Sequence, residues 1–382
     1  MQYCAVCLVA KDEEYYLKEW VEYHLRIGFD GIIIYDNGSD IPINQILQEY
    51  VSIGKVAVHD VPGEFQQSKF YTSCIEQYRE DYKWIAFIDS DEFIFPKKTA
   101  NIKILLAEYE SYGGIVANWV NFGTSRLMTR KDNSQIFNFI LTDGAEVSTI
   151  KSIVQPSKVE MYGVHGATFF DGHYAVSSDH VPLDQNCYAS PFVDDKIQIN
   201  HYVFRAWEDY ERKANRWISM NVWDKKITFE EEQKRYIKPS LELLKFYTSI
   251  KDIDIKQFSK DYDILSVKDF ALKILSILES PSKLNKSQII DAELLCCHAS
   301  LVFNDEPMIL YFRAILSRIT NDLQKALRFI YTALKMSGSS TIYYEYSNIL
   351  YALGEYERAR LAKKHADYKK HVEDTKCSPV TE

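Results

Sequence analysis

No stretch of this 382-residue chain holds the roughly 18 consecutive apolar residues that a membrane-spanning helix needs. The N-terminal apolar segment, Tyr3 to Ala10, is short and runs straight into Lys11-Asp12-Glu13-Glu14, so it reads as a first strand and not as a secretory leader. Basic residues are not in excess: 45 Lys and Arg stand against 54 Asp and Glu, a net charge of −9 that argues against a nucleic-acid partner. Neither a G-x-G-x-x-G nor a P-loop pattern follows the first strand, so phosphates would have to be met by a cation. The seven cysteines are odd in number and scattered through apolar segments, which fits a reducing cytosol better than a disulfide framework. Cys4-x-x-Cys7 lacks a second pair at zinc-ribbon spacing, and a strand would turn its two thiols to opposite faces; Cys296-Cys297 reads as core.

What the chain does hold is 46% hydrophobic and 26% charged residues, the balance of a globular protein, in a length that calls for two domains. In residues 1–250 strand and helix signals alternate: Tyr3–Val9, Gly31–Tyr35, Lys55–Val61 and Trp84–Ile88 read as strands. Glu14–Arg26, Ile43–Tyr50 and Gln67–Tyr78 read as helices between them. This α/β order predicts a Rossmann-like, mostly parallel sheet whose ligand edge is the carboxyl ends of the strands. Beyond Ile115 the pattern is shorter and strand-rich; Ala206–Trp223 and Phe229–Tyr247 read as helices, the first lined with aromatics that suit a core.

In residues 251–382 only helical patterns remain, apart from a polar tail near Thr375 to Glu382. Tyr311, Leu316, Ala326 and Ala333 recur 33 residues later as Tyr344, Ile349, Ala359 and Ala366, with Asn321-Asp322 matching Gly354-Glu355 between them. That period resembles tetratricopeptide repeats and predicts an all-α appendage, either a stabilising extension or a surface for a protein partner or self-association.

The segment with most chemical content is Trp84-Ile85-Ala86-Phe87-Ile88-Asp89-Ser90-Asp91-Glu92-Phe93-Ile94. An apolar strand ends in three acids within four positions, and in extended geometry Asp89 and Asp91 would share a face. Paired carboxylates of this kind suit a divalent cation with a preference for oxygen, Mn²⁺ or Mg²⁺, bridging substrate phosphates; the plainer alternative is an acidic turn. Two other strand ends add Lys11, able to reach a phosphate, and Asp36, able to accept from a base or ribose.

The order of motifs carries a resemblance. Lys11-Asp12-Glu13-Glu14 with Leu17-Lys18-Glu19-Trp20, Tyr23-His24 and Gly28, then Ile34 to Asp40, resembles the opening of glycosyltransferase family 92 and related bacterial glycosyltransferases. Trp84 to Phe93, Trp119-x-x-Phe122-Gly123, Lys151-Ser152-Ile153-Val154 with Val164-His165, and Asn200-His201-Tyr202 followed by Glu208, Tyr210 and Lys213 continue that order to about Arg216. Ala206-Trp207 departs from it, standing where the family shows lysine-serine.

The resemblance implies a GT-A fold and a metal-dependent glycosyltransferase taking a nucleotide sugar, a UDP-sugar by expectation, to a glycan or lipid-linked saccharide. It implies inversion and, for a cytoplasmic enzyme at the inner face of a membrane, a part in surface polysaccharide biosynthesis. The metal would fall to Asp89, Asp91 and His201, with a purely structural histidine as the alternative. Donor contacts would fall to Lys11, Glu13, Asp36, Gln67, Asp89 and Ser90, with Gln66 beside them; Glu13 could instead serve the first helix. For the acceptor base, Glu146, Asp171, Asp179, Asp194 and Asp195 are available, and Asp171 or Asp179 is favoured because His165, His173 and His180 crowd that region. Two other classes compete: a phosphatase using D-x-D with an aspartate nucleophile, and a helical-repeat interaction protein with a degenerate transferase domain.

Overall fold

Strand β1 (Gln2–Ala10) is buried along nearly its whole length, as a central strand covered on both faces must be. Around it a computed structural model describes residues 1–63, 67–131, 134–183, 189–219, 226–251, 266–278, 284–303 and 306–377. Gln66 and the far end of the helix read over Ala206–Trp223 lie outside the described residues. The chain divides into two compact units, Met1–Asp252 and Ile253–Glu382.

In the first unit, β2 (Gly31–Asp36), β3 (Val56–Asp60) and β4 (Tyr82–Phe87) join β1 in parallel, in the order β3-β2-β1-β4. The helices Leu17–Arg26 and Gln67–Tyr78 are the crossovers; Trp20 and Tyr23 of the first and Tyr71, Cys74 and Ile75 of the second are buried. The sheet then becomes mixed. β5 (Glu92–Pro96) and β6 (Gly114–Asn121) are followed by the short β7 (Leu141–Thr142), β8 (Ile150–Val154), β9 (Val159–Tyr162), β10 (Ala167–Phe169) and β11 (Ala175–Val176). β12 (Ile197–His201) and β13 (Lys238–Pro239) complete the set. The main path runs β3-β2-β1-β4-β8-β6-β12-β5, with β8 antiparallel to both neighbours and β12 parallel to β6 but antiparallel to β5.

Three local expectations give way. Asp89 and Asp91 do not extend a strand: β4 ends at Phe87, β5 begins at Glu92, and Asp89-Ser90-Asp91 is the tight turn between them, closed by the Glu92 amide donating to the Asp89 carbonyl at 3.0 Å. The helix expected over Ile43–Tyr50 is two short ones, Ile43–Ile46 and Gln48–Ser52, divided at Leu47. The helix expected over Phe229–Tyr247 breaks into Phe229–Arg235 and Glu242–Lys251, because Lys238-Pro239 pairs with Leu141-Thr142 as β13 and proline has no amide to continue a helix. Cys4, Cys7, Cys74, Cys296 and Cys297 are free and buried.

The second unit has the repeat character read from the sequence. Helices Pro307–Ile319 and Leu323–Met336 form one pair, Ser340–Ala352 and Tyr356–Cys377 the next. The small residues in matching positions, Ala326, Ala333, Ala359 and Ala366, are all buried at crossings, and Leu316 and Ile349 likewise. The turn residues also match in backbone geometry: Asn321 (φ 63°) and Gly354 (φ 79°) both stand in the left-handed region that asparagine and glycine tolerate best. Among the described residues no helix is long and apolar enough to cross a membrane.

Candidate active site

The D-x-D turn is clamped from its back. Trp20 donates its indole N–H to the carbonyls of Asp89 (3.1 Å) and Glu92 (2.8 Å), and the amide of Tyr202 donates to the carbonyl of Asp91 at 2.7 Å. The register of β12 against β5 sets His201 beside Glu92, and against β6 sets it beside Asn121. A sheet edge built this way brings residues more than a hundred positions apart around one cavity of about 770 Å³. Its walls include Lys11, Glu13, Gln67, Asp89, Ser90 and Asp91 from the early part of the chain and Trp119, His165, His201, Arg205 and Lys213 from later parts.

Asp89 is held by three partners. Gln67 donates to Oδ1 at 2.5 Å and the Tyr71 hydroxyl to the same oxygen at 3.3 Å, while Lys151 Nζ lies 2.9 Å from Oδ2. Lys151 itself, 1% exposed, is shared with Glu92, whose Oε2 is 3.5 Å away. Burial pushes the Asp89 carboxyl up, but the charge and hydrogen bond of the Lys151 ammonium, with the Lys213 charge, outweigh it and hold the group below the usual carboxylate range. Glu92 goes the other way, pushed up to about 8, because burial is complete and the two aspartates add repulsion. Its Oε2 accepts the Asp89 amide at 2.9 Å, and Oε1 has no partner among the described residues. Glu92 therefore supports the turn and is not exposed to a ligand.

Asp91 meets different company. Lys213 Nζ lies 2.7 Å from Oδ2 and His201 Nε2 3.8 Å from Oδ1. Burial raises its carboxyl, and the cations Lys213 and Arg205 more than reverse that, leaving it well below the ordinary range. Burial also lowers the His201 imidazole to about 4, so the ring is neutral. Its tautomer follows from its other nitrogen: Nδ1 lies 2.9 Å from Asn121 Oδ1, which can only accept, so Nδ1 carries the hydrogen and the Nε2 lone pair faces Asp91. An imidazole pinned in this way by a neighbouring oxygen is the form that ligates metal. Trp119 packs against the same ring, centroids 4.1 Å apart.

Arg205, buried and in left-handed backbone (φ 55°), ties the far wall together. It is 2.5 Å from Glu13 Oε2, donates to Gln135 Oε1 at 2.8 Å and to Ser90 Oγ at 3.1 Å, and lies over the Tyr16 ring. Backbone held in a sparsely populated region is characteristic of sites that the surrounding structure over-determines.

The residues expected from the sequence divide accordingly. Lys11, Glu13, Gln67, Asp89, Ser90, Asp91 and His201 are brought to one cavity. Asp36 is not: Ser39 donates to its Oδ1 through both amide and hydroxyl, and the Ile43 amide to its Oδ2, so the carboxylate shapes the loop after β2 while Asn37 lines the cavity. Asp171 is exposed in the turn after β10, and Asp179 accepts from Ser177 within its own loop. The cavity wall includes neither, because β10 and β11 run at the other end of β6 from Trp119. Lys151, Asn121 and Arg205 carry partners of the site that no spacing announces, although Lys151 stands in a motif segment and Asn121 inside Trp119-x-x-Phe122-Gly123.

Glycine at position 123 has a packing reason: a Cβ there would come within 2.5 Å of Tyr236 Cβ, beneath the helix that carries Glu232. Glu232 in turn accepts from the Thr124 amide at 2.8 Å, fixing the segment that follows β6.

A sheet of this order, parallel in its first half and mixed beyond, with a D-x-D turn at its ligand edge, is the GT-A architecture. The chain belongs to glycosyltransferase family 92, whose family model matches residues 2–257. A family 92 protein of Arabidopsis thaliana is 25% identical over 232 residues, covering 57% of this chain and 38% of its own length. One of Oryza sativa subsp. japonica is 26% identical over 223 residues, covering 57% and 36%. A galactan β-1,4-galactosyltransferase of Arabidopsis thaliana is 26% identical over 120 residues, 29% of this chain and 23% of that one. The chain thus spans little more than a third of the length of the family 92 relatives it matches. Among solved structures, S. aureus TarS 1-349 aligns over 84% of this chain and 92% of its own, at 11% identity and a TM-score of 0.33.

Proposed function

We propose that this protein is a glycosyltransferase that moves a sugar from a nucleoside-diphosphate sugar, a UDP-sugar, to a glycan or lipid-linked saccharide with inversion, in the building of a surface polysaccharide. The observation that carries this reading is the convergence of the Asp91 carboxylate and the His201 Nε2 lone pair at the ligand edge of the sheet. Those two groups fit a divalent cation, Mn²⁺ or Mg²⁺, that takes its other ligands from water and phosphate oxygens. Among the described residues no third His, Cys, Asp or Glu completes a closed cage, and a cation shared with a diphosphate needs none. When bound, such a cation neutralises charge developing on the departing diphosphate. Asp89, held by Lys151, Gln67 and Tyr71, then presents a fixed carboxylate to the donor, and Trp119 an aromatic wall beside it. The nucleotide is supported by family membership and by a donor-sized cavity.

Thermal unfolding with a set of nucleotide sugars, with and without Mn²⁺, tests this. The wild type should gain several degrees with one UDP-sugar only when Mn²⁺ is present, about what ligand at a hundred times its Kd supplies. Asp91→Asn should keep the fold and lose that gain; an undiminished gain in the variant would remove Asp91 from the site.

A further inference from the structure

The two carboxylates of the D-x-D turn already have cations of their own, and these cations differ in freedom. Lys151 is 1% exposed, lies on β8 and serves both Asp89 and Glu92, so it has nowhere to go. Lys213 is 35% exposed and stands on the helix Trp207–Ser219 at the cavity wall, with Arg205 and Arg212 beside it. Its ammonium, at the end of a four-carbon flexible stem, sits 2.7 Å from Asp91 Oδ2, on the same carboxylate whose other oxygen faces His201 Nε2. A divalent cation held by Asp91 and His201 and an ammonium at that distance would repel one another strongly in a partly desolvated site. One of them has to leave the carboxylate. A lysine released there, in a cavity that would hold a dianionic diphosphate, has a better partner within reach of its stem.

Building on the cation reading above, we infer that Lys213 is the resident counter-ion of Asp91, which yields the carboxylate to the divalent cation and passes to the donor diphosphate. Cation and nucleotide then each remove an obstacle to the other. Without nucleotide, a cation must displace a lysine that gains no new partner; without cation, the lysine stays on Asp91 and the diphosphate goes without it. Binding is therefore cooperative, and Lys213 sets part of the coupling.

The test measures Mn²⁺ binding by the full-length protein, by electron paramagnetic resonance or calorimetry, with and without UDP, in wild type, Lys213→Met, Lys213→Arg and Asp91→Asn. Lys213→Met should bind Mn²⁺ about tenfold tighter than wild type without UDP, and bind UDP about tenfold more weakly when Mn²⁺ is present. Lys213→Arg, which keeps the charge, should stay near wild type in both. A merely structural lysine would not raise metal affinity when removed. Should Lys213→Met bind Mn²⁺ no tighter than wild type while Asp91→Asn abolishes that binding, the counter-ion exchange is wrong and the cation site stands. If the wild type binds no Mn²⁺ that depends on Asp91, even with UDP, both fall together.

Discussion

Two aspartates separated by one residue sit in environments that could hardly differ more. Asp89 is pinned from behind, although its own carboxylate is a third open to solvent: its partners Lys151, Gln67 and Tyr71 are all buried, and behind them a buried glutamate shares the same lysine. The Asp91 side is built from groups on the late part of the chain, one of them, Lys213, partly open to solvent. The lesson is that a D-x-D motif is not a symmetrical pair. One carboxylate is fixed as scaffold; the other is offered for exchange.

The sharpest way to break that comparison is Lys151→Met. It leaves Asp89 without its buried cation, and breaking a buried pair is far more costly than an exposed one. Because Asp89 is a third open to solvent, the loss should be about 3 kcal/mol, the lower end for such pairs, read by urea unfolding. Stability equal to wild type would show that the Asp89 side is not locked by Lys151. A middle-sized effect is expected from Asn121→Ala, which frees the imidazole of His201 to take the other tautomer. Mn²⁺ affinity in the presence of UDP should fall about tenfold, as for other partners of a ligating histidine, with little change in unfolding. Unchanged affinity would mean that Asn121 does not set the His201 tautomer.

The smallest effect is on pH dependence. Glu92 has its folded value raised to about 8 from 4.5, so its contribution is fully present below 4.5 and is lost as pH rises through 8. His201 has its folded value lowered to about 4 from 6.5, so its contribution is present above 6.5 and is lost as pH falls through 4. On these two groups, stability measured without metal should be level between about pH 4.5 and 6.5 and fall on either side, and Glu92→Gln should remove the alkaline fall. An unchanged alkaline limb in that variant would place the titration elsewhere.

The first half of the sheet was legible because each parallel strand is followed by its own crossover helix, a pattern contained in about thirty neighbouring residues. Tyr3–Val9, Gly31–Tyr35 and Gln67–Tyr78 all lie where alternation places them. β5 was not legible: Glu92 to Pro96 looks like the tail of the apolar run before it, and only pairing with residues 197–201 makes it a strand. The same distance hid the counter-ions. Nothing near Asp89 in sequence announces Lys151, 62 positions on, and nothing near Asp91 announces Lys213, 122 positions on. Asp36 misled for the opposite reason, since a carboxylate at a strand end has ready local partners in Ser39 and Ile43.

The pairing of β5 with β12 also sets a timetable. Among the described residues β12 is the only main-sheet neighbour of β5, and about a hundred residues of chain separate the two. At a synthesis rate of about 5–20 residues per second, β5 leaves the ribosome roughly 5 to 20 seconds before the strand that covers its edge. During that interval its backbone N–H and C=O groups are a template for other chains. The cavity cannot exist before then either, since His201 is the last residue of β12 and Arg205 and Lys213 are made later still. The nascent protein is thus both vulnerable and inert until the last strand of its sheet arrives.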